Sequence, residues 1–482
     1  MTGFRTPYRA VFSCLVFSIL CLAFATPVSA LIVYQGKVVD AWPEEDQGRA
    51  LGKTGAAANG FYPSPKGVVL GLTMLVDFSD QAPAYDKAEV NDWLNLKGYA
   101  RNGCNGSIRD YYLDVSNGKV DFQNEVFGFY RAKHPKSYYE GGNGYERSDE
   151  LVDEMMAYFD PLVDFSRYDN DKNGTTEAIS IVYAGDGITW AQGLWPHASA
   201  LNRKYDGVTV GHYMMSDLRS KPSLYVFAHE CGHMIFGWPD LYYFGDYCLM
   251  ANRPNDYNPP AINDFYRADQ GWLPYTDIDK NTNAAYQAWN GQAGFRYVNP
   301  AKPQEALFWS NVKNTGRWSN LKGKGLLLYH FDRSIGGNSS GTSRSLYVVE
   351  ADGSNNLAGA QWPNPGSAVN DFFFQGNRAE ISSTTSPSCK WNDGSASGLR
   401  IHAIGPAGDA IAFEVGYGVV GLSRLPRQSQ HPLSGLGTDI FPATACCYDA
   451  TGALRTGWAP FRFPASGVDS QNEQQPGLRP GR

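Results

Sequence analysis

Past residue 66 the distribution of apolar and polar residues falls into two textures. The first opens on Val68-Val69-Leu70-Gly71-Leu72-Thr73-Met74-Leu75-Val76, a continuous apolar run of strand length, as a strand buried on both faces requires. Helical spacing follows at residues 88–96 and 107–113, and at 148–159, where Leu151, Met155 and Phe159 fall on one inward face. Residues 178–183 read as a strand. Residues 223–235 read as a helix through Leu224, Val226, Phe227, Cys231, Met234 and Ile235, and residues 261–270 as a further helix. From about Thr282 short alternating runs are separated by Gly, Asn and Ser turns: 306–308, 325–331, 346–350, 399–404 and 410–415, with turn dipeptides Asn290-Gly291, Gly337-Asn338 and Asp393-Gly394. These patterns predict an α+β domain over residues 67–281 followed by an antiparallel β-sandwich over 282–416.

The two ends read differently. Residues 1–30 carry Arg5 and Arg9, an apolar run over 10–25 and Val28-Ser29-Ala30, the pattern of a secretory signal peptide. That run is short for a membrane span and no second one follows, so an exported protein without stable membrane insertion is expected. Residues 31–66, with an acidic cluster at Glu44-Glu45-Asp46 and a Gly/Ala/Ser/Pro-rich run, read as a propeptide or linker. Residues 417–482 have no Lys, six Arg, repeated Pro and Gly and no lasting periodicity, and read as a disordered tail. Loss of Arg5 and Arg9 takes the basic count from 41 to 39 against 48 acidic residues, a net charge of −9, which argues against a nucleic-acid partner. Aromatics at 14% and charged residues at 18% describe a well-packed globular chain. Outside the signal, Cys104, Cys231, Cys248, Cys389, Cys446 and Cys447 form an even set that permits disulfides in an exported protein, and Cys231–Cys248 is the first pairing to expect.

The helix over 223–235 contains His229-Glu230-Cys231-Gly232-His233, an HExxH. Residues four apart lie above one another on a helix, so both imidazoles can face one ion, and two neutral nitrogens suit zinc. Glu230 sits about 100° round from His229, within reach of a water on that ion and too far round to be a ligand, which makes it the expected general base. Cys231, about 200° round, belongs in the core. HExxH also arises in helices that bind nothing, so the residues after His233 carry weight. Gly237 can end the helix in a left-handed turn, Pro239 forbids its continuation, and Asp240 arrives on a chain reversed toward the histidines, where a carboxylate would complete the site. Asp246 and Asp256 are rivals for that position. Two other zinc-peptidase plans are absent: no Glu occurs between His233 and Glu305, and where HExxHxxGxxH places a third His, Pro239 stands.

The continuation Gly237-Trp238-Pro239-Asp240-Leu241-Tyr242 resembles the secreted immune inhibitor A-like metallopeptidases, whose motif runs HExxHxxGxPDxY with an Asp as third ligand; here one extra residue precedes the glycine. Gly106-Ser107-Ile108-Arg109-Asp110-Tyr111-Tyr112 with Ser116-Asn117-Gly118-Lys119 is similar to that family as well, so the likeness extends over most of residues 68–416. It implies a zincin-like catalytic domain, zinc held by His229, His233 and Asp240, and a Met-turn at Tyr247-Cys248-Leu249-Met250 with Met250 beneath the metal; Met250 as ordinary core is the alternative.

Asp169-Asn170-Asp171-Lys172-Asn173-Gly174-Thr175-Thr176-Glu177 alternates oxygen ligands around a central glycine, the first half of a calcium loop with Asp169, Asp171, Asn173, Thr175 and Glu177 as candidate calcium ligands and Ser180 where a bidentate Glu would stand. An Asx-rich turn is the alternative. His197 and His212 read as structural or cleft-lining. The expectation is a secreted, extracellular zinc endopeptidase acting on proteins or peptides, with Glu230 as base and Tyr242 or Tyr247 as a candidate oxyanion donor. The competing expectation is a non-catalytic secreted adhesion or glycan-binding protein on the same fold, which would have no need of Glu230.

Overall fold

The computed structural model describes residues 66–141, 146–187, 193–279, 283–335, 337–338, 340–359 and 366–416, with the backbone of two short strands, β1 (Ile32–Tyr34) and β2 (Lys37–Val39). The signal segment, most of 31–65, and the tail with Cys446-Cys447 lie outside the described residues. Among the described residues, no helix is long and apolar enough to cross a membrane.

The first sheet is built from β3 (Gly67–Asp77), β4 (Val120–Arg131), β5 (Thr175–Thr176), β6 (Ile179–Ala184), β7 (His197–Tyr205) and β8 (Val208–Leu218), with β1 and β2, in the order β2-β1-β7-β8-β6-β3-β4 and with β5 beside β8. Strands β4, β3, β6 and β8 run parallel; β7 turns back antiparallel to β8 through Asp206-Gly207, both at positive φ (47° and 82°) as a tight hairpin turn demands. Alternate residues of the central strands serve opposite faces. Leu72, Met74, Val76, Ile179, Ile181 and Tyr183 pack with α4 (Glu146–Phe159), whose Leu151, Val152, Met155, Met156 and Phe159 are buried. On the other face Leu75, Val182, Met214 and Leu218 meet α1 (Lys87–Asn95), α2 (Ile108–Val115) and the HExxH helix α5 (Leu224–Phe236). Burial on both faces explains why these strands read as unbroken apolar runs. Helix α2 starts at a reciprocal cap in which Ser107 Oγ accepts from the Asp110 N–H and Asp110 Oδ2 accepts from the Ser107 N–H. The one-turn α3 (Lys136–Tyr139) adds Tyr139 to the core around α4.

The helix expected at 261–270 is shorter. It is α6 (Asp264–Asp269), because Asn263 caps it, its side chain accepting from the Tyr266 N–H at 2.9 Å. Beyond it, β9 (Tyr275–Asp277), β11 (Gly294–Val298), β12 (Glu305–Val312), β13 (Gly325–Asp332) and β14 (Leu346–Val348) form one sheet, ordered β14-β13-β12-β11-β9. A second sheet is ordered β10 (Ala284–Trp289), β17 (Ala410–Val415), β16 (Arg400–His402), β15 (Ile381–Ser382). The two share one core of Phe295, Leu307, Trp309, Leu326, Leu328, Ile401, Ile411 and Phe413. Pairing is antiparallel except for β9, which runs parallel to β11 and already belongs to this sheet before residue 282. The reverse face of β12 and β13 offers Phe308, Leu327, Tyr329 and Phe331 to the core that also buries α5, so the two parts are packed as one body.

His197 illustrates what that packing demands. It is buried on β7, with Nδ1 2.7 Å from the Trp195 carbonyl and Nε2 3.3 Å from the Tyr213 hydroxyl. Because a carbonyl only accepts, Nδ1 carries the proton and the ring is neutral; burial pushes its pKa down to about 4. A histidine held neutral in the fold but free to protonate when unfolded contributes stability present above pH ~6.5 and lost as pH falls toward 4, at most about 3 kcal/mol. Urea unfolding at pH 7, 5.5 and 4.5 should therefore show a shallower acid-side loss for His197→Gln than for the native chain, and equal slopes would refute the assignment.

Candidate metal centre

Helix α5 is buried along its whole length, and its position is fixed at both ends. Ser223 caps it, Oγ accepting from the Val226 N–H at 3.2 Å. At the other end Gly237 takes the left-handed conformation (φ 63°, ψ 21°), its N–H donating to the His233 carbonyl and that of Trp238 to the Gly232 carbonyl. The chain then reverses through Pro239, which brings Asp240 back over the helix.

His229, His233 and Asp240 converge. His229 Nε2 lies 3.0 Å from His233 Nε2, and Asp240 Oδ1 lies 3.2 Å from the first and 3.5 Å from the second. All three side chains are buried. Each imidazole is held from behind: His229 Nδ1 is 3.0 Å from the Leu249 carbonyl and His233 Nδ1 is 2.6 Å from the Trp238 carbonyl. Carbonyls only accept, so both Nδ1 atoms carry a proton, and in the neutral rings both Nε2 lone pairs are directed to the same point. Lone pairs facing each other at this distance call for a cation between them. Zinc bonded at ~2.0–2.1 Å in a tetrahedron sets its ligands about 3.3 Å apart, which is the spacing found here. Burial lowers the pKa of His233 despite the neighbouring Asp240; for Asp240 the two imidazoles outweigh burial and hold the carboxyl below its usual range.

Glu230 is fully buried, and neither carboxylate oxygen has a hydrogen-bond partner among the described residues. Burial first, then the negative charges of Asp240 and Asp217, push its pKa well up. A buried carboxylate with no donor is costly unless a cation and its water supply what the protein does not.

The rivals for the third ligand are engaged elsewhere: Asp246 accepts from Asn252 and Ser367, and Asp256 pairs with Arg253. Met250 lies under the helix; a Cβ added to Gly232 would meet its sulfur at 2.8 Å. The two tyrosines are placed differently. Tyr242 donates to Asp240 Oδ2 at 3.1 Å, orienting the carboxylate, and Tyr247 donates to Asp371 and is buried against the second part of the chain, its hydroxyl engaged away from the point on which His229, His233 and Asp240 converge. The expected Cys231–Cys248 bridge is also not formed: both are free buried thiols, and the Cys248 sulfur instead accepts from Asn263 Nδ2 and the Met250 N–H. Proximity in the chain does not supply the Cα and Cβ geometry that a disulfide needs. Cys104 and Cys389 are free as well.

Asp169, Asp171 and Glu177 gather a carboxylate oxygen each within 4.8 Å of one another. Glu177 Oε2 accepts from the Asn170 N–H at 2.7 Å while its Oε1 is buried without a partner among the described residues; burial above all, with Asp171 and Asp169 adding, pushes its pKa to about 7. Asn173 and Thr175 are joined in an Asx turn, Asn173 Oδ1 accepting from the Thr175 N–H at 2.8 Å. Thr175 continues into β5, so the loop feeds a strand where a calcium-binding hand would feed a helix, and Ser180 is an interior residue of β6. Sequence reasoning missed Tyr225, one turn before His229 on α5, whose hydroxyl is 3.3 Å from His229 Nδ1; the i, i+4 spacing was its signal. It also missed Asp217, whose charge acts on Glu230 from β8.

No protein-family model matches the chain, and no curated protein matches it.

The left-handed Gly237 sets where Trp238 and Asp240 fall. Gly237→Ala should lose about 1 kcal/mol in chemical unfolding, and Gly237→Asn less, since Asn tolerates this conformation better. An Ala variant as stable as the native chain would show that the turn relaxes freely.

Proposed function

We propose that this protein is an exported zinc-dependent endopeptidase with a zincin-like catalytic unit similar to that of the immune inhibitor A-like metallopeptidases. The observation that carries this reading is the pair of Nδ1–H to carbonyl bonds that turn the bare Nε2 atoms of His229 and His233, together with Asp240 Oδ1, toward one point at mutual distances of 3.0–3.5 Å. Two imidazoles and one carboxylate are the donor set of a catalytic zinc site that leaves a fourth position open. Zinc held there would supply Lewis acidity, lowering the pKa of water far below its bulk value, toward ~7, and polarising a carbonyl.

Glu230, one residue on from His229 and without a donor of its own, takes a proton from the attacking water as the new C–O bond forms. It then delivers that proton to the amide nitrogen as the C–N bond breaks, so one carboxylate serves as base and acid in turn. Tyr242, bonded to Asp240 Oδ2, steadies the third ligand. The loop around Asp169, Asp171 and Glu177 is read as a structural calcium site, since its three acidic oxygens converge and Glu177 Oε1 lacks a partner. The substrates are proteins or peptides, and neither nucleic acid nor a membrane is required.

Glu230→Gln preserves shape and removes the base. It should retain one zinc per chain and lose about 10²–10⁴-fold in the rate of cleaving a denatured protein substrate. A Gln variant as active as the native protein would overturn the mechanism, and a native protein that binds zinc without cleaving anything would favour the non-catalytic reading.

Asp240→Ala is expected to weaken zinc affinity by more than the ~10–100-fold typical of a residue that only supports a ligand. Competition against a zinc-binding dye measures this; unchanged affinity would remove Asp240 from the site.

The exposed Asp171 permits a clean calcium test. Calcium should raise the melting temperature of the zinc-loaded protein, and Asp171→Ala should shrink that rise, whereas a rise of equal size in the variant would leave the loop an Asx-rich turn.

A further inference from the structure

Three carboxylates far from the HExxH helix in the chain meet where the β14 sheet joins the Met250 segment. Glu350 follows β14, Asp352 stands two residues on, and Asp371 ends the short turn Val369–Asp371. One oxygen of each lies within 4.8 Å of the other two. Glu350 and Asp371 are buried, at 3% and 1% exposure, while Asp352 is open to solvent. The backbone holds them together: the Ala351 N–H donates to the Asp371 carbonyl at 3.1 Å.

Their hydrogen bonds satisfy the cluster only in part. Glu350 Oε2 accepts from Ser354 Oγ and the Asn356 N–H, and Oε1 from the Leu357 N–H. Asp371 Oδ2 accepts from the Ala368 N–H at 2.8 Å and from the Tyr247 hydroxyl. Asp371 Oδ1 is buried and receives no hydrogen bond from any described residue. Lys322 and Arg344 act on the carboxylates at a distance, but neither pairs with any of the three. Two buried carboxylates, one with an orphaned oxygen, thus have no cation paired to them among the described side chains, and a cation at the cluster would supply what Lys322 and Arg344 give only from a distance.

We propose that Glu350, Asp352 and Asp371 form a second metal site, for calcium, that braces the segment beneath the HExxH helix. The donor set is all oxygen, which selects a hard cation over zinc. Three carboxylates supply part of the six to eight oxygens calcium takes, and the exposed side at Asp352 leaves room for water to supply the rest. The bracing follows from what Asp371 touches. Its partner Tyr247 and the neighbouring Asp246, which accepts from the Ser367 N–H at 3.1 Å, belong to the segment whose Leu249 carbonyl receives the His229 Nδ1–H. A cation on Asp371 thus fixes the chain that orients a zinc ligand. Burial and mutual repulsion raise the pKa of both Glu350 and Asp371, as expected of carboxylates arranged for a cation.

The site is separate from the Asp169 loop and does not depend on proteolysis, so binding is the readout. The zinc-loaded protein is depleted of calcium on a chelating resin, zinc is restored, and calcium is titrated by calorimetry. Asp352→Asn, at an exposed position that leaves the fold intact, should bind one calcium fewer or bind it at least tenfold more weakly, and Glu350→Gln should do the same. Asp171→Ala should leave this site unchanged. The proposal is overturned if Asp352→Asn binds calcium with the native number and affinity, and that variant decides alone if Glu350→Gln fails to fold.

Discussion

Two hydrogen bonds from imidazole to backbone carbonyl organise this protein. By fixing a proton on Nδ1 of His229 and His233 they turn both Nε2 atoms toward each other across 3.0 Å, with Asp240 Oδ1 beside them, an arrangement suited to a shared cation. Both carbonyls come from chain just past the helix, Trp238 directly after its last turn and Leu249 in the segment that carries Met250. Everything that positions those two carbonyls therefore positions the proposed zinc ligands: the left-handed Gly237, the stop at Pro239, the contact of Met250 with Gly232, and the bonds of Tyr247 and Asp246 to residues 367–371.

The rest of the fold supplies rigidity at that place. Helix α5 packs on a sheet buried on both faces, and β12 and β13 add Phe308, Tyr329 and Phe331 to the same core, against Phe265 of α6 and Phe244, while their opposite faces fill the core between the two smaller sheets. A helix with every residue buried cannot shift without opening the core around it, which is how a flexible carboxylate such as Glu230 can be held without a hydrogen bond from any described residue.

The helix and its two histidines were legible because HExxH is a local spacing, and Gly237 and Pro239 announced where it ends. The strand over Gly67–Asp77 and the helices at 88–96, 107–113 and 148–159 were legible within a few residues from periodicity alone. What escaped was of three kinds. The alternating strand Val120–Arg131 and the Asp206-Gly207 hairpin carried ordinary signals that went unread. The Leu249 carbonyl and the junction of Glu350 with Asp371 depend on tertiary approach of distant chain, and no side-chain pattern encodes them. The Tyr247 hydroxyl and the Cys231–Cys248 pairing were inferred from nearness in the chain, which the fold did not honour: Tyr247 turned to Asp371 and Cys248 to Asn263. β9 joined its sheet parallel to β11, as the edge strand.

The most direct measurement is X-ray absorption at the zinc edge of the metal-loaded protein, with the histidine and carboxylate variants alongside. One zinc per chain with two imidazole nitrogens and oxygen neighbours at ~2.0–2.1 Å, losing one imidazole in His229→Ala or His233→Ala, is the expected result. A sulfur neighbour at ~2.3 Å, drawing in Cys231 or Cys248, or a protein that retains no zinc, would contradict the assignment of the site.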